Sequence, residues 1–185
     1  MTPMLGIMAS AAMGSKQSSF ESIATATGTG ASGTISFTSI PATYKHLQLR
    51  IRGRSSDAST VDTVNVNVNG DTTVANYAYH RLTGDGATAA ATGFASSSPR
   101  IGYVTGASAA ADIMGVTILD IIDYASTTKY KTFRTFTGQD RNGAGQVWLA
   151  SGLWMSTSAI NQVDLTLTGL NWTTQSTIAL YGIKG

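Results

Sequence analysis

The sequence VNVNVNGD, residues 64–71, alternates strictly between valine and asparagine before it ends in Asn-Gly-Asp. Because successive side chains of a β-strand point to opposite faces, the valines share one face and the asparagines share the other. A valine face is typical of a core, whereas an asparagine face offers donors and acceptors to water, a sugar or another chain. The stretch therefore predicts a half-buried strand whose polar residues Asn65, Asn67 and Asn69 are candidate subunit contacts.

Similar alternation recurs from end to end of the chain. In residues 45–54, Leu47, Leu49 and Ile51 alternate with polar side chains, and turn residues separate this stretch from its neighbours. About ten short strands are predicted, including residues 36–40, 45–54, 64–69, 76–82, 113–124, 130–137, 146–155, 162–167 and 177–183. No amphipathic helix longer than two turns is apparent. The pattern indicates an all-β fold, a single-domain antiparallel β-sandwich or jelly roll.

Three segments carry more specific expectations. Residues 84–98 and 105–111 consist mostly of Gly, Ala, Ser and Thr without a sustained period, which predicts long loops. Residues 113–124 are apolar on both faces, which predicts a central strand covered on each side, with a short helix as the alternative that their β-branched content disfavours. The Asn69-Gly70-Asp71 turn, followed closely by residues 76–82, predicts a hairpin or another tight β-connection.

Composition narrows the class of protein. With 185 residues, the chain is long enough for one domain with a sizeable core. Charged residues make up 12%, against about a quarter in typical proteins. A net charge of +2 argues against nucleic-acid binding, which normally needs a denser basic patch. The chain has no cysteine, and no stretch approaches the ~20 apolar residues of a membrane-spanning helix.

The first residues form a separate apolar segment. Residues 1–13 read MTPMLGIMASAAM, and no basic residue precedes the short apolar run, which argues against a signal peptide. We divide the chain into an N-terminal arm, residues 1–17, and a β-sandwich domain, residues 18–185. The segment is either a first strand on its own domain or an arm held by a neighbouring subunit. The candidate contacts of such an arm are Met1, Met4, Leu5, Ile7 and Met8.

The usual enzyme signatures are missing from the sequence. It contains no HExxH, GxSxG or GxxxxGK[ST] motif, and its two histidines, His46 and His80, lie on separate predicted strands. Asp120 and Asp123 are three residues apart, which places them on opposite faces of a strand and favours ion pairing over acid–base chemistry. A glycan hydrolase would need two carboxylates in one cleft, and nothing in the sequence places them there. We therefore expect no catalytic site.

Charged side chains suggest two kinds of binding. Arg50, Arg52 and Arg54 share one side of a predicted strand, either as contacts to a neighbouring subunit or an anionic ligand, or as charges that protect an edge strand. Four aspartates lie near predicted loops, where β-sandwich proteins often hold calcium, but their spacing matches no calcium loop. They are Asp57, Asp62, Asp71 and Asp85. We expect no cofactor, with structural calcium as the alternative.

Aromatic residues raise the hypothesis of a carbohydrate site. Tyr77, Tyr79 and Trp172 are candidate glycan contacts if their rings are exposed, and Asn65 and Asn67 would then contribute to a shallow polar groove. The alternative is that these rings belong to the core of the sandwich, as most aromatic residues do. Exposure of the rings distinguishes the two hypotheses.

Five strings resemble one family over nearly the whole chain. They are ASGLWMSTSAINQVDLT (residues 150–166), STIALYGIKG (176–185), SFESIAT (19–25), SIPATYKHLQLR (39–50) and VNGDTTVANYAYHRLTGDG (68–86). In order and spacing they resemble small structural proteins of tailed bacteriophages. The resemblance implies a non-enzymatic, oligomeric virion subunit that carries no catalytic motif and contacts other virion proteins.

The resemblance leaves the position in the particle open. A tail or tail appendage is favoured, a trimer is the expected oligomer, and a capsid decoration protein on the head is the alternative. From another class of function, a carbohydrate-binding module that recognises a host surface glycan stays open. In each of these hypotheses the protein is located in the virion.

Overall fold

Two antiparallel β-sheets pack face to face and enclose the core. The structure is a computed structural model, and it describes residues 18–185. The predicted N-terminal arm, residues 1–17, lies outside the described residues. The all-β sandwich that the sequence predicts is confirmed.

The described residues form twelve strands and one short 3₁₀ helix, Val74–Asn76, where about ten strands were predicted. The strands are β1 (Phe20–Thr27), β2 (Thr34–Phe37), β3 (His46–Gly53), β4 (Val61–Val68), β5 (Tyr77–Gly84), β6 (Ala89–Ala95), β7 (Arg100–Thr105), β8 (Gly115–Ile122), β9 (Lys131–Asp140), β10 (Gly145–Trp154), β11 (Val163–Leu167) and β12 (Thr177–Ile183).

The two sheets differ in size. The large sheet has eight strands in the order β1-β12-β3-β8-β9-β10-β5-β6, and the small sheet has four in the order β2-β11-β4-β7. All neighbouring strands run antiparallel. The small sheet packs against one face of the large sheet, and no third layer among residues 18–185 covers the other face. No helix among residues 18–185 has the length and apolar character to cross a membrane.

The valine face of the opening stretch lies in the core, as predicted. Val64, Val66 and Val68 are fully buried, and Val66 is the register partner of buried Leu165 in β11. The large sheet faces them with its own alternating apolar residues, which include Leu49 of β3. Period-two patterning therefore identifies the inner face of both sheets.

Some predicted loops and connections are wrong. Residues 89–95, expected within a long loop, form β6, which pairs with β5 along its whole length. Strands β1 and β7 were not predicted. The Asn69-Gly70-Asp71 turn does not close a hairpin, because β4 belongs to the small sheet and β5 to the large one. It connects the two sheets, with Asn69 and Gly70 both at positive φ.

Strand β8 is central but covered on one face alone. It lies fourth in the large sheet and ends at Ile122, two residues before the predicted end. Leu119 and Ile121 point into the core, whereas Val116 and Ile118 are exposed on the other face. The expectation of a strand covered on each side is thus wrong for residues 18–185 taken as one chain, and the open face is the most unusual surface of the sandwich.

Candidate functional site

The face of the large sheet that points away from the core carries a row of apolar side chains. Strands β8, β9, β10 and β5 are neighbours, and each places one large apolar residue at the same register level. Two valines lie one level along the sheet, on β8 and β10. We call these six residues the outer apolar face: Leu82, Val116, Ile118, Phe136, Val147 and Leu149.

These side chains are open to solvent. Phe136 is 58% exposed, Leu149 is 52% exposed, and Ile118, the least exposed of the six, still shows 37% of its surface. Single exposed apolar residues are ordinary, but soluble monomers rarely expose contiguous apolar patches larger than a few hundred Å². Six large residues at adjoining register positions form one continuous patch, which makes this face the candidate binding surface.

A polar row borders the outer apolar face on one side. Arg134 of β9 donates a hydrogen bond of 2.8 Å through Nη2 to Oδ2 of Asp120 on β8, and Gln48 Nε2 donates to the other carboxylate oxygen at 2.9 Å. The ion pair satisfies both charges within the sheet. This row of Gln48, Asp120 and Arg134 therefore adds hydrogen-bonding groups without adding net charge.

Glycine shapes one end of this face. His80 of β5 and Gly93 of β6 are register partners, and a Cβ built on Gly93 would lie 2.3 Å from a ring carbon of His80. The absence of a side chain at residue 93 lets the imidazole lie across β6. A shallow cavity of about 760 Å³ results beside Leu82, Leu149 and Arg134.

The asparagine ladder is occupied by contacts within the chain. Asn67 Nδ2 donates to the carbonyl oxygens of Asp71 and Ser97, at 2.9 and 2.7 Å. Asn69 donates to the carbonyl of Ala159 and accepts from backbone N–H groups of the same loop. Asn65 donates to Thr168 Oγ1. All three are half-buried, so their amides order loops at the rim of the small sheet, and a role in subunit contact stays a prediction.

The predicted row of three arginines consists of two. Arg50 and Arg52 are exposed on β3, where they are the register partners of Ile118 and Val116, so they border the outer apolar face. Arg54 is 8% exposed, and its guanidinium donates to four backbone carbonyls. The prediction of a surface contact is wrong for Arg54, because β3 ends at Gly53 and the alternation no longer applies beyond it.

The predicted glycan contacts are mostly core residues. Tyr77 and Trp172 are fully buried, so the prediction that they stack on sugar rings is wrong. Burial raises the pKa of Tyr77 to about 12, and its hydroxyl donates to the carbonyl of Asp71. Tyr79 is 4% exposed, yet its edge lines a small cavity beside Phe94.

The carboxylates proposed as calcium ligands serve turns. Asp57 accepts hydrogen bonds from Ser59, which lower the pKa of Asp57. Asp85 accepts hydrogen bonds from the backbone N–H groups of Ala87 and Thr88, which lower the pKa of Asp85. Asp62 accepts from Ser55. Within the part of the chain that the structure describes, no group of three or more potential ligands is placed to hold a metal ion.

The remaining candidate acid–base residues, Asp120, Asp123 and His46, make ion pairs or hydrogen bonds within the fold. Asp123 lies just beyond β8 at positive φ, where the ammonium groups of Lys129 and Lys45 lower its pKa. His46 Nδ1 accepts the backbone N–H of Asp123 at 3.0 Å. Asp120 and Asp123 both make ion pairs, as the ion-pair hypothesis predicted.

Sequence reasoning missed the outer apolar face, although its signal is present. Residues 113–124 are apolar at both alternating sets of positions, and that pattern was interpreted as burial by the same chain. Strand β10 also has apolar residues at outward positions, Val147 and Leu149, whereas β9 and β5 contribute one large apolar residue each, Phe136 and Leu82. Searching the predicted strands for apolar residues on both faces would have located the face.

Comparisons with protein-family models, with curated proteins and with solved structures give no match for this chain.

Proposed function

We propose that this chain is a non-enzymatic structural subunit of a tailed-bacteriophage virion that assembles with copies of itself through the outer apolar face. The observation that carries the proposal is the continuous apolar row across β8, β9, β10 and β5. Hydrophobic burial is the main driving force of most protein association, and these side chains have no cover within residues 18–185. The virion setting is supported by the resemblance of the five sequence strings alone.

The size of the large sheet suits a second copy as the occupant. Strands in a sheet lie about 4.8 Å apart and rise about 3.3 Å per residue, so eight strands of eight residues span roughly 34 by 26 Å. The resulting area, on the order of 900 Å², is that of the whole outer surface of the sheet, so an interface near the ~800 Å² that each partner contributes to a stable complex would bury the outer apolar face together with its polar border. The Asp120–Arg134 pair neutralises its own two charges, so this polar row adds no like-charge repulsion towards a neighbouring copy.

A closed trimer is the assembly that we propose. Three copies around a three-fold axis would turn their outer apolar faces towards the axis and bury the six side chains together. Arg50 and Arg52, which border the face, would then lie at the rim, where charged residues are usual. A position on the tail or a tail appendage is preferred, and decoration of the head is the alternative.

The mass of the purified, untagged protein across a concentration series tests this function. We expect a stable trimer or larger ring by light scattering and by native mass spectrometry. A dimer would retain self-assembly but contradict the trimer, and a monomer at every concentration would overturn the proposal.

Matched variants identify the face that is used. Leu149→Ser, at a side chain 52% exposed on the outer apolar face, should lower the mass to that of a monomer. Leu170→Ser, at a side chain 53% exposed in the loop before β12, should leave the mass unchanged. If both variants assemble as the parent does, the interface lies elsewhere.

A further inference from the structure

At one end, the large sheet extends beyond the small sheet. Strands β5 and β6 end the order of the large sheet, whereas β7 is the edge strand of the small sheet on that side. Every residue of β6 is exposed, and β5 is its only neighbouring strand among residues 18–185. A cavity of about 250 Å³ lies beneath this overhang, between the inner side of β5 and β6 and the start of β7.

Two arginines line this cavity without a carboxylate partner. Arg81 of β5 donates through Nε to Thr92 Oγ1 at 3.0 Å, and its guanidinium lies 4.4 Å from the ring centre of Trp148. Its Nη1 is buried without a hydrogen-bond partner. Arg100, the first residue of β7, is exposed. Among the described residues neither arginine takes part in an ion pair, although five pairs are present elsewhere.

A second donor close to Arg81 also lacks an acceptor. The indole Nε1 of Trp148, beneath Arg81, is also buried without an acceptor. Buried polar groups are normally hydrogen-bonded, and a half-buried guanidinium normally has an anionic partner. An anion with several acceptor oxygens would complement these unpaired donors. The planar guanidinium of arginine matches a carboxylate in particular, because it can donate two parallel hydrogen bonds.

An aromatic ring adjoins the two cations. Phe94 of β6 is 48% exposed, and its ring packs at 5.7 Å against that of Tyr79. The cavity therefore offers a solvent-facing apolar ring beside two guanidinium groups. A ligand that joins a carboxylate to a compact ring with C–H groups complements both features, and the small volume suits a single ring.

We propose that this cavity binds the carboxylated ring of an acidic sugar, such as a hexuronate. Arg81 and Arg100 hold the carboxylate, and Phe94 packs against the sugar ring. The site is separate from the outer apolar face, because Thr92 and Phe94 pair with Arg81 and Tyr79 on the inner side of the sheet, whereas Leu82 and Ala91 lie on the other side. This inference goes beyond the proposed structural function and does not depend on it.

Calorimetric titration of the full chain at constant ionic strength tests the site. The probes are sodium D-glucuronate, D-glucose, sodium acetate and inorganic phosphate. We expect glucuronate to bind at least tenfold more tightly than each of the other three, because only glucuronate supplies both carboxylate and ring. If phosphate binds as tightly as glucuronate, the cavity is a general anion site, and if glucose does, the arginines do not contribute to recognition. Either result, or the absence of glucuronate binding, would overturn the proposal.

Exposed residues allow variants that keep the fold. Arg100→Gln and Phe94→Ala should each weaken glucuronate binding about tenfold or more, the loss expected for a charge-assisted hydrogen bond or a packed ring. Arg52→Gln, at an exposed arginine on the outer side of β3, is the matched control and should bind as the parent does. Unchanged binding in both site variants would contradict the proposal. Leu149→Ser should keep binding whatever its mass, which separates this site from self-assembly.

Discussion

The indole Nε1 of Trp154 donates a hydrogen bond of 2.7 Å to a carboxylate oxygen of Asp71. Asp71 follows the Asn69-Gly70 turn between the small and the large sheet, and Trp154 ends β10 of the large sheet. The same oxygen accepts from Asn76 Nδ2 at 2.7 Å, and the other oxygen accepts from the backbone N–H of Thr73 at 2.9 Å. A turn residue that looks solvent-exposed in the sequence therefore anchors the crossing between the sheets.

Replacing Asp71 with alanine should destabilise the fold. Trp154 is 3% exposed, so its Nε1 would be left without an acceptor in a site that water reaches poorly. The cost of such an orphaned donor is about 1–3 kcal/mol, measurable as a lower free energy of unfolding in urea. Asp85→Ala is the control, because Asp85 accepts its hydrogen bonds in an exposed turn, and its loss should be smaller. Equal losses would argue against the anchoring role.

The same carboxylate predicts a dependence on pH. The hydrogen bond from Trp154 is the largest of the contributions that lower the pKa of Asp71 from 3.8 to about 2. A group with a lowered pKa in the folded state contributes stability above its unfolded pKa and loses it as the pH falls through the folded value. The difference in unfolding free energy between the parent and Asp71→Ala should therefore shrink as the pH falls from 3.8 towards 2. A difference that stays constant over this range would contradict the assignment.

The valine face allows a direct test of strand orientation. Val66 is fully buried between Val64 and Val68 in the core, so Val66→Asp places an unpaired charge there, at a cost of several kcal/mol. Asn65→Asp, one residue away on the half-buried polar face, should cost far less. Thermal unfolding by circular dichroism compares the two variants. A Val66→Asp protein as stable as the parent would mean that the strand is oriented the other way.

Alternation predicted the inner faces because burial by the same chain imposes a period of two. It could not predict β6, whose residues are exposed on both faces and so carry no apolar period; pairing with β5 alone makes this segment a strand. Alternation also gave the wrong exposure for Arg54. This residue is an even number of positions from Arg50 and Arg52, but it lies beyond the end of β3, where the alternation no longer applies. Local pattern describes a strand and does not report where the strand stops.

The outer apolar face could be predicted only in part. The apolar residues on both faces of β8 were recognised, but periodicity does not distinguish cover by the same chain from cover by another. Ile118 and Phe136 become neighbours through the strand order of the large sheet, in which β8 and β9 are adjacent. The proposed acidic-sugar site was beyond prediction for the same reason, since Arg81 of β5 and Arg100 of β7 line one cavity only through the packing of the two sheets.

Arg54 should be more important for stability than an ordinary arginine. Its guanidinium donates to the carbonyl oxygens of four residues in the connection between β7 and β8, namely Ala107, Ala109, Ala110 and Ile113. Arg54→Lys keeps the charge but replaces a planar fork by one ammonium group, which cannot reach the same set of acceptors. We expect a loss of about 3 kcal/mol in unfolding free energy.

The control for this variant is Arg52→Lys, at an exposed arginine two residues earlier, which should change stability by no more than about 0.5 kcal/mol. Faster proteolysis in residues 106–114 of the Arg54→Lys protein would locate the loss in the connection that the guanidinium orders. Equal stability of the two lysine variants would show that the carbonyl contacts contribute little.

Removing residues 1–13 should separate folding from assembly. The core formed by the described residues begins at Ile35 and is closed by both sheets, so the shortened protein should retain the circular dichroism spectrum and unfolding temperature of the parent. Seventeen extended residues reach roughly 56 Å, farther than the ~34 Å width of the large sheet. The segment is therefore long enough to reach the outer apolar face of a neighbouring copy. We expect the shortened protein to show a lower mass by light scattering at equal concentration.

A full-length variant with Met4, Leu5, Ile7 and Met8 all changed to serine keeps the length and removes the apolar contacts. If apolar contact is the cause, this variant assembles as poorly as the shortened protein, and normal assembly of both would exclude the N-terminal segment as an assembly arm.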